Sequence, residues 1–256
     1  MEIALPTGAL TLAATQLFLV FIRVGAMVFF LPGFGESYVP VRIKLALAMG
    51  LAVLVFPMIG PAIAVDPTSQ NQVFGLIMTE TLAGLFWGAV IRLILHTLQI
   101  AGAIISQATS LAQIFGGTVN TDAQPAMGHI LVISGLALIS VLGLHETYLT
   151  YVMNTYNVTP AGMLLQGADI AAYSSHHIGK GFALAFQLAA AALTATLLYN
   201  IILGVINRAM PQLLVSFVGA PAITAGGLLM LYLMAPTILN VWLHFVAEII
   251  AIPQVR

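Results

Sequence analysis

The chain contains no cysteine, and only 6% of its 256 residues are charged. The first absence excludes disulfides, thiolate catalysis, iron–sulfur clusters and thiolate zinc sites. The second sets the chain apart from soluble domains, in which about a quarter of residues are charged. A large core does not account for the deficit, because a soluble surface would still need its charges. With a net charge of −1 there is no basic surface for nucleic acid. No basic n-region precedes the first apolar run, which is longer than a cleaved signal, so that run is expected to remain as a helix. What is present is apolar: 61% of the residues are hydrophobic. This is the composition of an integral membrane protein, or of one packed among others like it.

A bilayer crossing takes roughly 20 apolar residues, and about six stretches reach that length. They cover about residues 9–31, 42–61, 73–95, 127–153, 178–206 and 213–250. The third can continue past Gly102 into a more polar helix as far as Phe115. The last is long enough to be a bent or broken pair around Pro221 and Pro236. The longest connections fall at residues 116–124 and 154–177, and neither reads as a soluble domain. The expectation is an all-α, integral-membrane-like chain of about six long apolar helices, forming a single domain over residues 1–256.

Enzyme motifs fail one by one. His145-Glu146-Thr147-Tyr148-Leu149 begins like a helical zinc-protease motif, but Leu149 stands where the second histidine is needed. His176 and His177 are adjacent and would point in different directions on a helix. There is no Gly-x-Ser-x-Gly elbow and no Gly-rich phosphate loop. Neither catalysis nor a cofactor is expected.

The polar residues are more informative. Asn207-Arg208-Ala209-Met210-Pro211-Gln212 interrupts two long apolar stretches and marks a helix break that spanning alone does not require. Gln99, Ser106, Ser110 and Gln113 return to within about 40° of one side of a 3.6-residue helix. With Ala103 they form a polar stripe that either lines a wet passage or pairs with a neighbouring helix. The stripe leads into Phe115-Gly116-Gly117 and an Asn/Asp/Pro-rich tail, a non-helical loop. On composition alone, that loop is a turn at a membrane edge rather than a gate.

Arg23, Glu80, Arg92, His96, Glu146 and Glu248 fall within apolar stretches. A charge in hydrocarbon costs roughly 3 kcal/mol or more, so each must pair, face water or snorkel. Glu80 and Arg92 lie about 18 Å apart along one helix, so their partners lie elsewhere. Gly84 and Gly88 share the Glu80 stripe in a small-xxx-small pattern that favours close helix packing.

Four blocks now point the same way. They are Arg23-Val24-Gly25 through Leu31-Pro32-Gly33-Phe34-Gly35 to Arg42; Glu80 with Gly84 and Gly88; Gly143-Leu144-His145-Glu146; and Asn200 through Arg208-Ala209-Met210-Pro211-Gln212 to Pro221. In this order they resemble the FliR family of flagellar type III secretion export-gate proteins and its virulence-system relatives. Where that family often has asparagine after the Pro-Gln pair, this chain reads Leu213-Leu214-Val215.

The resemblance implies a non-enzymatic subunit that joins FliP-like and FliQ-like subunits, with FlhA-like and FlhB-like components, in a channel for unfolded flagellar substrates. It implies the bacterial inner membrane and the flagellar basal body as the location. It implies a plug or channel lining from Gln99, Ser106, Gln107, Ser110, Gln113, Phe115, Gly116 and Gly117. Subunit contacts are implied at Arg23, Glu80, Gly84, Gly88, Arg92, Glu146, Arg208, Pro211 and Gln212. It also implies bent helical hairpins packed on other subunits, so that an apolar stretch need not be a bilayer crossing. A proton-coupled small-solute transporter using Glu80, Arg92 and His96 is the alternative, although the paired halves with matching helix breaks typical of such transporters are not found.

Overall fold

The computed structural model describes residues 7–114, 126–164, 166–209 and 215–251, with the backbone alone at 7, 109–114, 126, 144–145 and 215–221. Seven α-helices and no strand occur among the described residues. They are α1 (Thr7–Val28), α2 (Val41–Ile59), α3 (Gln70–Ile114), α4 (Ala126–Val141), α5 (Leu144–Val158), α6 (Gly167–Ala209) and α7 (Val215–Ala251).

Local chemistry accounts for several of the boundaries. Pro40, held at φ −57° and ψ 141°, keeps extended backbone ahead of α2, while its carbonyl accepts from the Ile43 and Lys44 amides. Pro57 and Pro61 bracket the far end of α2, which closes in a short 3₁₀ turn, Gly60–Ala62. Ahead of α3 the Asp66 carboxylate accepts from the Thr68 amide and hydroxyl, and the Gln72 side chain accepts from the Asp66 amide. Those two hydrogen bonds from Thr68 hold the exposed Asp66 carboxyl below its ordinary pKa of 3.8.

The structure redraws three of the expected stretches. The fourth is two helices, because Gly143 takes φ 70° between α4 and α5. The connection expected over residues 154–177 is largely helical, since α5 runs to Val158 and α6 already begins at Gly167. The last stretch is the single helix α7, carried through Pro221 and Pro236 without the expected break. The third does continue past Gly102, as one helix of 45 residues. Among the described residues five helices are long and apolar enough to cross a membrane, or six spans if the bent α4–α5 pair counts as one.

The chain divides into two compact units. The first comprises the described residues within Met1–Leu93, Ser140–His177 and Ala247–Arg256. Its core is built from Leu19, Val24 and Met27 of α1, Trp87 and Ile91 of α3, and Tyr151 of α5, all of them buried. The second comprises the described residues within Ile94–Ile139 and Ile178–Val246. There Leu98 of α3, Leu131 of α4, Ala189 of α6 and Trp242 of α7 are buried, and the Trp242 indole donates to the Ile94 carbonyl at 2.8 Å.

Candidate functional site

In the second unit, α3 carries a sharply two-sided segment. Ile94, Leu95, Leu98, Ala101, Ile105 and Ala108 are buried. His96, Gln99, Ala103, Ser106 and Gln107 are partly or fully accessible. At about 100° per residue the accessible set spans one arc of the helix and the buried set the opposite arc. Gln99 and Gln107 of this segment therefore lie on the open face of this unit, while the Ser106 hydroxyl is enclosed at its edge. His96 Nδ1 and Gln99 Oε1 stand 2.9 Å apart, so these two polar side chains on that face are joined. Ser110 and Gln113 continue the helix, which ends at Ile114, but their side chains lie outside the described residues. Phe115, Gly116 and Gly117 lie outside them entirely.

The buried face of the same segment owes its close packing to glycine. A Cβ on Gly102 would fall onto the backbone of Gly128 in α4. A Cβ on Gly135 would come within 3.1 Å of the Trp242 ring. The open polar face is held in place from behind by contacts that larger residues would prevent.

In the first unit the charges cluster differently. Arg23 of α1 and Glu80 of α3 form an ion pair at 2.7 Å with both side chains at 0% exposure. A second Arg23 nitrogen donates to Glu80 Oε1 at 2.9 Å, and a third to the Thr159 carbonyl at 2.8 Å. Glu80 Oε1 also accepts from the Gly162 amide, and the Trp87 indole donates to the Thr159 hydroxyl. The guanidinium lies 3.9 Å from the centre of the Tyr156 ring, a cation–π contact. A buried charge is tolerable only when so fully met.

Around this pair, α1 sits against Gly84 and Gly88. A Cβ on Gly84 would approach the Arg23 carbonyl to 2.5 Å, and one on Gly88 would approach the Phe30 ring to 2.9 Å. Arg92 makes a two-pronged pair with Glu36 at 2.8 and 3.2 Å. Arg23, Glu80, Gly84, Gly88 and Arg92 thus all have intramolecular partners, and Arg23 and Glu80 leave no surface for another subunit in this conformation. Glu146, in the first turn of α5, and Arg208, in the last turn of α6, are exposed. Pro211 and Gln212 lie outside the described residues, between the end of α6 at Ala209 and the start of α7 at Val215.

Sequence reasoning missed Glu36, Thr159 and Gly162 as partners. Glu36 lies in the connection after α1, outside the apolar stretches in which a charge demands a partner. Thr159 and Gly162 act mainly through backbone groups, which side-chain patterns do not show. Among the described residues no three His, Asp or Glu side chains stand close enough to hold a metal ion.

The family model of bacterial export proteins, family 1, matches residues 14–249. The flagellar biosynthetic protein FliR of Caulobacter vibrioides is 32% identical over 237 residues, covering 91% of this chain and 94% of that protein. The chain belongs to the FliR family of bacterial export proteins. The FliR of Bacillus subtilis is 27% identical over 220 residues, with 83% of each chain covered. The FliR of Escherichia coli is 26% identical over 233 residues, covering 89% of this chain and 87% of that protein. As a member of this family the chain is a membrane-embedded component of the flagellar export apparatus.

Proposed function

We propose that the whole chain, residues 1–256, acts as one non-enzymatic subunit of the export channel itself. In this reading it assembles with FliP-like and FliQ-like subunits in the bacterial inner membrane, at the flagellar basal body. FlhA-like and FlhB-like components adjoin it, and unfolded flagellar proteins pass through. The observation that carries the reading is the accessible polar face of α3 in the second unit, where His96, Gln99 and Gln107 stand opposite a buried apolar face. A passage for unfolded chains needs hydrogen-bonding walls without fixed charge, and this face offers amides and an imidazole. Ser110, Gln113, Phe115, Gly116 and Gly117 extend it in sequence and are proposed to form the plug that closes the resting channel.

The uncovered apolar faces support a many-subunit setting. On α2, Ile43, Leu45, Val53, Leu54 and Met58 are exposed, and on α6 so are Phe182, Phe186, Leu197, Leu198 and Val205. Such surface needs lipid or protein against it. Exposed Glu146 and Arg208, with Pro211 and Gln212, are proposed as subunit contacts. Arg23, Glu80, Gly84, Gly88 and Arg92 would then serve those contacts by fixing the shape of the first unit. The transporter alternative is weakened because Glu80 and Arg92 are engaged in ion pairs within the chain.

The decisive experiment is co-expression of the tagged chain with FliP-like and FliQ-like proteins, followed by native mass spectrometry. One defined complex containing all three is expected. A monomer or homodimer with affinity for neither would overturn the proposal and return attention to proton-coupled uptake. In an assembled complex, photocrosslinkers at Gln99 and Gln107 should capture a stalled export substrate.

A further inference from the structure

A second feature, in the first unit, belongs to neither the polar face nor the ion pair. Where α3, the end of α5 and the start of α6 meet, a cavity of about 170 Å³ opens beside Trp87. Phe86, Trp87 and Tyr173, packed edge-to-face on one another, form one aromatic side of it. Their ring centres are 5.0 Å apart for Phe86 and Trp87, 5.5 Å for Trp87 and Tyr173, and 6.0 Å for Phe86 and Tyr173. Met163 and Leu164 add apolar wall, and Asp169 places a carboxylate in the lining.

One polar group here is unmet. Asp169 is exposed and has no ion-pair partner among them. Every lining residue other than Asp169 is uncharged, and no cation is among them.

We propose that this cavity binds an organic cation on an apolar stem, a primary ammonium or guanidinium group. Aromatic walls attract such a cation through their ring quadrupoles, and a carboxylate beside them adds direct attraction. The volume suits the stem: an apolar cavity of about 150 Å³ holds a benzene-sized group. A bare apolar void would have no use for the carboxylate. The Arg23–Glu80 pair fixes the rim from beneath, because Arg23 holds Thr159 and Glu80 holds Gly162 just before Met163 and Leu164. The proposal does not depend on the channel reading.

Trp87 provides its own reporter. The chain has two tryptophans, Trp87 and Trp242, so Trp242→Phe leaves the cavity tryptophan as the only one. The full chain in nanodiscs is titrated with n-butylammonium, n-butylguanidinium and n-butanol, while its Trp87 fluorescence is followed. The cations are expected to saturate the signal and to bind about tenfold or more tighter than the neutral alcohol. Asp169→Asn is expected to lose about tenfold in cation affinity, and Asp169→Glu to retain most of it. Saturation-transfer NMR on the unaltered chain repeats the measurement should Trp242→Phe fail to fold. Equal binding of butanol and butylammonium, or no saturable binding, would overturn the proposal. Competition then separates the sources. Displacement of butylammonium by phosphatidylethanolamine assigns a lipid headgroup, and displacement by N-acetyl-lysine amide alone assigns a peptide side chain. Displacement by neither overturns the proposal.

Discussion

Glu80 meets two demands at once: it neutralises Arg23 inside the first unit and receives the Gly162 amide where that glycine takes φ 79°. Removing one partner of a buried pair leaves the other charge uncompensated, at a cost of about 3–5 kcal/mol. Glu80→Ala is therefore expected to destabilise the chain by about that much, read from SDS unfolding in mixed micelles. The double change Arg23→Met with Glu80→Leu should cost clearly less than the two single changes added together. Asp66 behaves in the opposite manner, at the surface and by pH. Its pKa is lowered in the folded chain, so its contribution is present above the ordinary value of 3.8 and lost as pH falls through the lower folded value. Thermal midpoints of the native chain and of Asp66→Asn should therefore differ near about pH 6 and draw together as pH falls through the lowered folded value. That Arg23 and Glu80 needed partners was legible from their place in apolar stretches. That they partner each other was not, because the residues are 57 positions apart and no local spacing joins them.

Among the helices, the most readable signals were the punctuating ones. The Pro57–Pro61 pair and the Asn207–Gln212 cluster both fall at or beside real helix ends. Gly143 was harder, because an isolated glycine in an apolar run reads equally as a packing position, and its positive φ appears only in three dimensions. Pro221 and Pro236 misled in the other direction, for an apolar helix carries proline when neighbouring groups satisfy the freed carbonyls. The length of α6 was underestimated because Asp169, Tyr173, Ser174, Ser175, His176 and His177 looked like a polar connection. In the second unit the contact of Gly102 with Gly128 sets how closely α3 and α4 approach. Gly102→Val should separate them at a cost of about 1–3 kcal/mol and expose Trp242 to an aqueous quencher such as iodide.

For the molecule as a whole, the polar stripe was readable from helical period alone, whereas its choice between a passage and a neighbouring helix was not. Both place polar atoms away from lipid, and only the assembled neighbours distinguish them. The exposed ends are the places to test assembly. Glu146→Ala and Arg208→Ala are expected to reduce co-purification with FliP-like and FliQ-like subunits, with little effect on any proton-coupled uptake. Normal recovery of the complex by both variants would count against interface roles for these residues. The bare leucines, isoleucines and phenylalanines along α2 and α6 also bear on the life of the chain in the cell. A subunit that leaves so much of itself unfinished is an orphan until its neighbours arrive, and quality-control proteases act on orphans. Its abundance should then be governed by the synthesis of its partners more than by its own. In pulse–chase labelling, its half-life is expected to lengthen several-fold when FliP-like and FliQ-like proteins are supplied, making supply of the scarcest subunit the limit on how many export machines a cell can build.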